Sequence, residues 1–308
     1  MSDRREPLSV VVPTRDRPER LRAALTALRA ALGPDDELIV IDSASADPIP
    51  TAAVVSEAGA RLLRCDRPGA SVARNAGWRL ARHEYVGFVD DDVVVEPGWA
   101  DALSRCLTTH PDAAFVTGRI DAAEPAGTMT VAVKDGDVAM TIGRADGGVI
   151  GHSASLGIRR TVLDSVGGFD TSLGAGARWR AAEDNDLFDR ILATGATGRY
   201  EPSVRASHDQ WRRIRQWVLL QHSYGVGSGA RLAKLWRLDR VRWRVVARDD
   251  VWTWGFAQLP GEIARRDRYR ALATLLRLLG IARGFAAAVV TPLRDGQFRP
   301  RRSSTSSS

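Results

Sequence analysis

Cysteine is almost missing from this chain. The two that occur in 308 residues, Cys65 and Cys106, stand far apart without metal-ligand spacing. That excludes a disulfide framework and a cysteine-based zinc site, and leaves small core residues in a reducing compartment. Two phosphate-binding fingerprints are also absent: no GxGxxG follows the first apolar run, and GxxxxGK[ST] does not occur. The longest apolar stretch, ALATLLRLLGIARGFAAAVV (271–290), is interrupted by Arg277 and Arg283. A packed amphipathic helix or a membrane-surface element is therefore favoured over a transmembrane span. The N-terminus, MSDRREPLSVVVP, begins charged and offers no secretory signal, so the cytoplasm is the expected location.

What is present suits a globular enzyme-sized chain, 44% hydrophobic and able to bury a large core. Its net charge of +7 is unevenly placed: Arg205 to Arg302 holds 21 Arg or Lys against 7 Asp or Glu, and the remainder is net acidic. Six of the nine tryptophans fall between 211 and 254 among those arginines, with Trp236 and Trp243 seven apart on one expected helix face. Such a basic third fits peripheral contact with the inner membrane face, or simply a solvated helical surface. Nucleic acid is disfavoured, because no RNA-binding module signature accompanies the Trp and Arg residues.

Apolar runs alternate with helical periodicity. LSVVVP (8–13), ELIVID (37–42), the weaker ARLLRC (60–65) and YVGFVD (85–90) read as strands. Between them PERLRAALTALRAAL, 51–59 and SVARNAGWRLARH read as helices. This alternation predicts βαβ units and a mostly parallel sheet flanked by helices, with ligands at the carboxyl ends of the strands. Pro13, Thr14, Asp42 and Asp90–Asp92 should therefore gather on one edge. Further along, a helix in PGWADALSRCLTTH and a strand at 113–120 precede a Gly-, Ala- and Asp-rich segment, 121–151, expected to be a long loop or a lid. A short helix at 161–170 ends in two glycines, and AAEDNDLFDRILATG opens a helix with carboxylates.

The triplet Asp90, Asp91, Asp92 needs compensation, because like charges this close repel and resist desolvation. A solvated turn explains an isolated triplet. A divalent cation beside substrate phosphates at the end of a strand is the functional alternative, and three polar or acidic strand ends on one edge fit one cleft better than three independent turns.

VVVPTRDRPERL, IVIDSASAD, GASVARNAGW, FVDDDVVVEPGW, RRTVLDSVGGFD and AEDNDLFDRI, in this order, resemble glycosyltransferase family 2 over roughly residues 8 to 225. The resemblance implies a GT-A fold, a uridine- or thymidine-diphosphate sugar donor, an inverting transfer and Mn²⁺ or Mg²⁺. It places Pro13, Thr14 and Arg15 at the nucleotide, Asp42 at the base, and Arg74 and Asn75 over the phosphates, with Gly77 permitting close approach. Asp90 and Asp91 fall on the donor and Asp92 on the metal, with His208 as a second metal or diphosphate group. Asp184 would be the general base, beside Glu183 in a positioning role and Asp186 as the third acid. Two departures from the family pattern are Ser43–Ala44, where DDGS is commoner, and Ser155, where Asn is common. His152 is a candidate acceptor contact, with a packed histidine as the alternative.

The expected organisation is an N-terminal tail (1–7), a catalytic domain (8–225), a helical C-terminal extension (226–298) and a disordered tail (299–308). The acceptor is open among glycan, lipid-linked, natural-product and peptide classes. The rival readings are a nucleotidyltransferase and an inactive basic protein that binds nucleic acid or membrane on the same fold.

Overall fold

A computed structural model describes residues 5–123 and 131–299. The first half is the expected alternation. β1 (Leu8–Thr14), β2 (Glu37–Ser43), β3 (Arg61–Cys65) and β4 (Tyr85–Val89) are joined by α1 (Pro18–Ala31), α2 (Ile49–Glu57) and α3 (Ala70–Leu80). These strands pair in parallel in the order β3-β2-β1-β4. β1 is buried on both faces: Val10 and Val12 pack on one side with Leu21, Leu25 and Leu28 of α1, and Val11 on the other with Ala73 and Trp78 of α3. That is why it reads as a continuous apolar run. Gly77 is required at the α3–β1 contact, where a Cβ would collide with Val11.

Beyond β4 the sheet becomes mixed. β5 (Val93–Val95), α4 (Trp99–Thr109), β6 (Ala113–Ala122), β7 (Met140–Ile142), β8 (Ser155–Arg159), α5 (Arg160–Val166), α6 (Glu183–Ala193) and β9 (Thr197–His208) follow. β8 inserts antiparallel between β4 and β6, β9 runs parallel to β6, and β5 pairs antiparallel with β9. Helices cover both faces, as expected for this class. Part of the segment read as a loop at 121–151 is pinned to the sheet: β7 pairs with β9, and Lys134 bridges Ile120 through two backbone hydrogen bonds of 2.9 and 3.0 Å. The lid reading also covers 124–130, which lie outside the described residues, as do 300–308 of the C-terminal tail and 1–4 of the N-terminal one. Cys106 is buried, its thiol pushed up to about 11 by desolvation, while Cys65 is half-buried on the edge strand.

The C-terminal part holds α7 (Ile214–Leu238), α8 (Arg240–Ala247), a π-helical segment (Arg248–Phe256), α9 (Leu259–Ala264), α10 (Arg268–Ala288) and a hairpin of β10 (Leu293–Arg294) and β11 (Gln297–Phe298). The boundary placed at 225/226 lies inside α7, so no linker separates the two parts there. Trp236 and Trp243 do not share a helix face: Asp239 ends α7 and caps α8 by accepting the Arg242 N–H, and the two indoles meet edge-on across the corner at 4.8 Å. α7 and α10 cross with their backbones nearly touching, because Gly225 and Gly229 face Gly280 and Gly284. A Cβ at Gly225 would strike the Arg277 carbonyl, and one at Gly284 the Val226 carbonyl.

Candidate active site

The parallel register puts Thr14 opposite Asp42, and the chain leaving β4 delivers the aspartate triplet beside them. Each carboxylate of the triplet has its own partners. Asp90 accepts from Arg74 at 2.5 Å. Asp91, buried, accepts from the Thr14 hydroxyl at 2.7 Å and from Arg17 at 3.1 Å; burial still pushes its carboxyl up to about 6. Asp92 accepts from the Trp211 indole N–H at 3.0 Å and lies near Arg17 at 3.4 Å. The crowding is thus offset by Arg17 and Arg74, with hydrogen bonds filling the remaining lone pairs.

Asp42 is buried at the end of β2, where Arg64 pairs with it at 2.5 Å and the Ser45 N–H donates to it. Pro13 is buried within β1, and Arg15 is exposed and pairs with Asp16. The arginine that reaches the triplet from this loop is Arg17. Asn75 is committed to the protein itself, donating to the Phe169 carbonyl at 2.7 Å and accepting the Phe169 N–H and the Trp78 indole N–H. Ser155 receives the Trp99 indole N–H at 3.0 Å, which fixes β8 against α4.

The second acidic group opens α6, whose first turn favours negative charge. Arg74 links the two clusters, reaching Asp90 with one nitrogen and Glu183 with another at 3.2 Å. Desolvation and the neighbouring Asp184 charge raise Glu183. Burial would also raise Asp184, yet His152 at 3.8 Å, the Asn185 N–H and Arg74 outweigh it and hold its carboxyl below the ordinary range. Asp186 is turned to structure: Lys234 at 2.5 Å and Arg190 at 2.9 Å hold it low, which removes it as a base. Asp184 and Glu183 open instead on a cavity of about 610 Å³ shared with Arg74, Asp90 and His152, its far wall built by the C-terminal helices.

The family described as Glycosyl transferase family 2 matches residues 9–167, more than half of the chain. The chain belongs to glycosyltransferase family 2. A pre-mycofactocin glycosyltransferase of Mycobacterium tuberculosis is 30% identical over 241 residues, covering 73% of this chain and 47% of the relative. This family 2 chain therefore spans about half the length of that relative. Among solved structures, the mannosyltransferase PcManGT of Pyrobaculum calidifontis, in complex with GDP-Man and Mn²⁺, matches with a TM-score of 0.58 at 18% identity, over 96% of this chain and 78% of that one. Residues 1–349 of S. aureus TarS match at 0.56 and 14% identity, over 92% and 90%. These likenesses establish the GT-A fold expected for family 2.

No group of three or more His, Cys, Asp or Glu side chains forms a metal cluster among the described residues. Asp92 and His208 do meet, because β5 pairs with β9 in the register Val93↔His208, leaving His208 Nε2 3.5 Å from Asp92 Oδ1. Burial lowers His208 and favours the neutral imidazole. Gln210 takes the Val131 N–H on its oxygen and turns its nitrogen to His208 Nδ1 at 3.0 Å. The imidazole thus aims a proton at Asp92, and it becomes a ligand only in the other tautomer, with the Gln210 amide turned. A carboxylate and a neutral imidazole suit Mn²⁺ or Mg²⁺ when diphosphate oxygens and water complete the shell.

Arg17 and Trp211 escape sequence reasoning. Arg17 sits in the RDRP stretch beside the residue that the resemblance selects. Trp211, three residues after His208, is stacked by Arg17, Arg20 and Arg212. The HDQW spacing is its signal, and it becomes readable only once β9 is known to end beside Asp92. The His152 contact has a measurable consequence. With His152→Ala, Asp184 loses the imidazole 3.8 Å away that favours its ionised form, so a transfer rate that depends on ionised Asp184 would have its acid limb moved to higher pH. An unmoved limb in a folded variant would remove His152 from the control of Asp184.

Proposed function

We propose that this family 2 protein is an inverting, metal-assisted glycosyltransferase that moves a sugar from a UDP- or dTDP-type donor to an acceptor hydroxyl, with Asp184 as general base. The observation carrying this reading is the single cavity that joins the donor-side pair Asp90–Arg74 to an ionised Asp184 at the start of α6. The diphosphate side of the cleft has Arg17, Arg74 and the acids they hold. Asp92, and His208 in its other tautomer, would hold the Mn²⁺ or Mg²⁺. When bound, that ion supplies neutralisation of the charge developing on the leaving diphosphate. The PcManGT complex with GDP-Man and Mn²⁺ supports the pairing of nucleotide sugar and metal on this fold.

In the displacement the acceptor oxygen forms the new bond to C1 and Asp184 takes its proton. The C1–O bond to the diphosphate breaks with its electrons on the nucleotide. Glu183, raised and paired with Arg74, positions the first turn of α6. Nucleotidyl transfer is the poorer reading, because it gives Asp184 no hydroxyl to deprotonate at C1. Two variants separate the roles: Asp92→Asn weakens metal-dependent nucleoside diphosphate binding in titration calorimetry. Asp184→Asn preserves that binding and lowers transfer by about 10² to 10⁴, with Glu183→Gln the milder change. Equal loss of binding in Asp92→Asn and Asp184→Asn would overturn the division.

The same protein is proposed to sit on an anionic membrane surface through its C-terminal helices. α10 is long and apolar enough to span a bilayer by length and composition, with a third of its most apolar stretch buried. Arg277 lines the cavity and Gly280 and Gly284 pack on α7, which commits one face to protein. The other face carries exposed Leu272, Leu275 and Leu279, with Arg265, Arg266 and Arg268 at the helix start, the pattern of an interfacial helix. Co-sedimentation with phosphatidylcholine vesicles should require added phosphatidylglycerol and fall about tenfold in a Leu275→Asp, Leu279→Asp double variant. Absence of binding to either vesicle, or binding unaffected by the double variant, would contradict it.

A further inference from the structure

A second concavity lies on a different face of α7 from the catalytic one. Gln221, Tyr224 and Ser228 line the cavity that holds Asp184, whereas His222 and Val226 line a separate pocket of about 270 Å³, and no residue lines both. The floor of this pocket is apolar and fixed: Trp179 is 4% exposed and packs on Phe298 at 5.4 Å, beside buried Val226. Its rim is cationic. Arg178 and Arg180 flank Trp179 in the chain, Arg283 comes from α10, and all three are exposed. None of them lies within salt-bridge distance of a carboxylate among the described residues. The sequence shows why: residues 174–182, α7 and α10 contain no Asp or Glu. Arg180 also holds a φ of 60°, the left-handed region that a β-carbon disfavours, so the loop sets this charge in place at a cost in backbone strain.

Guanidinium forks match phosphate oxygens, and an imidazole N–H of His222 adds a donor. Three cations without a counter-charge repel a cationic ligand and favour an anion. The volume lies below the roughly 300–1,000 Å³ usual for a drug-sized ligand, which suits a headgroup whose remainder lies outside the pocket. The surroundings define that remainder. α7 and α10 run in the same direction across their contact, for a Cβ at Gly280 would strike the His222 carbonyl and one at Gly284 the Val226 carbonyl. One turn back from the pocket on each helix therefore falls on the same side, where Leu219 and Leu279 are 68% and 61% exposed. An anionic group at the arginines with apolar chain beside it describes one kind of molecule. We infer that this pocket seats the phosphate of an anionic phospholipid, held by Arg178, Arg180 and Arg283, with its acyl chains beside Leu219 and Leu279. The inference rests on the membrane contact proposed above and gives it a discrete lipid site. The lipid is a docking ligand, and no bond is made or broken.

Titration calorimetry on the full chain in metal-free buffer would use dihexanoyl phosphatidylglycerol below its micelle concentration, with dihexanoyl phosphatidylcholine and inorganic phosphate as the zwitterionic and free-phosphate probes. Phosphatidylglycerol should bind saturably, and about tenfold or more tighter than either. Arg178→Gln combined with Arg283→Gln should weaken it about tenfold or more. Arg265→Gln combined with Arg266→Gln removes the same charge outside the pocket and should leave it unchanged. Arg180→Gly keeps the backbone conformation while removing the third charge, so it should also weaken binding and keeps the test valid should the first double variant fail to fold. Phosphatidylcholine or inorganic phosphate binding as tightly overturns the lipid assignment. Equal loss in both double variants, or no loss in folded pocket variants, overturns the pocket. Sedimentation with phosphatidylglycerol vesicles separates this from the membrane reading. Vesicle binding without saturable binding of the soluble lipid overturns the pocket alone, whereas soluble-lipid binding without sedimentation overturns the membrane contact.

Discussion

Four carboxylates within seven residues of α6 must be buried or half-buried, and the rest of the structure is arranged around satisfying them. A desolvated carboxylate is tolerated only when paired and hydrogen-bonded. Glu183 and Asp184 are served from the catalytic half by Arg74 and His152. Asp186 and Asp189, on another face of the helix, are served largely from the extension. Lys234 of α7 joins Asp186 to Asp170, and Arg231 and Arg242 converge on Asp189 at 2.5 and 2.8 Å. Removing one partner from such a buried pair typically costs about 3–5 kcal/mol. This ionic clamp fixes the rotation of α6, so that Glu183 and Asp184 face the cavity while Asp186 and Asp189 face the extension.

The clamp also accounts for part of the charge asymmetry. The basic balance after residue 205 suggests an external anionic partner when only composition is considered. In the folded chain Arg231, Lys234 and Arg242 are buried counter-charges for acids of the catalytic half. Arg265, Arg266 and Arg268, beside the exposed leucines of α10, are among the arginines that stay exposed for the proposed membrane contact. Packing α7 on α10 through facing glycines brings the cavity wall close to α6, so one close helix contact serves both stability and the shape of the site.

The gathering of Thr14, Asp42 and the aspartate triplet in the candidate site was legible in the sequence because they sit at strand ends. Apolar runs stopping at Thr14, Asp42 and Asp90 announce a common edge, and EDND before Leu187 announces a helix with an acidic first turn. What escaped depends on contacts between distant segments. Val93–Val95 is too short to read as a strand until β9 arrives to pair with it, and that pairing alone sets His208 beside Asp92. The roles of Arg15 and Arg17 are decided by side-chain direction after β1, which periodicity does not encode. Asp186 is indistinguishable from Asp184 in sequence, and Lys234 is what separates this structural acid from the proposed base. Trp236 and Trp243 keep helical spacing although a capping aspartate turns the chain between them.

The central claim is a single displacement at C1 with Asp184 receiving the acceptor proton and no covalent sugar on the enzyme. The most direct measurement is the anomeric configuration of the first-formed product. It is followed by proton NMR from the start of turnover, with the nucleotide sugar that most raises the melting temperature in the presence of Mn²⁺. The account predicts configuration opposite to that of the donor. A product that keeps the donor configuration would contradict it, because retention requires either a second displacement or attack from the face that the diphosphate leaves.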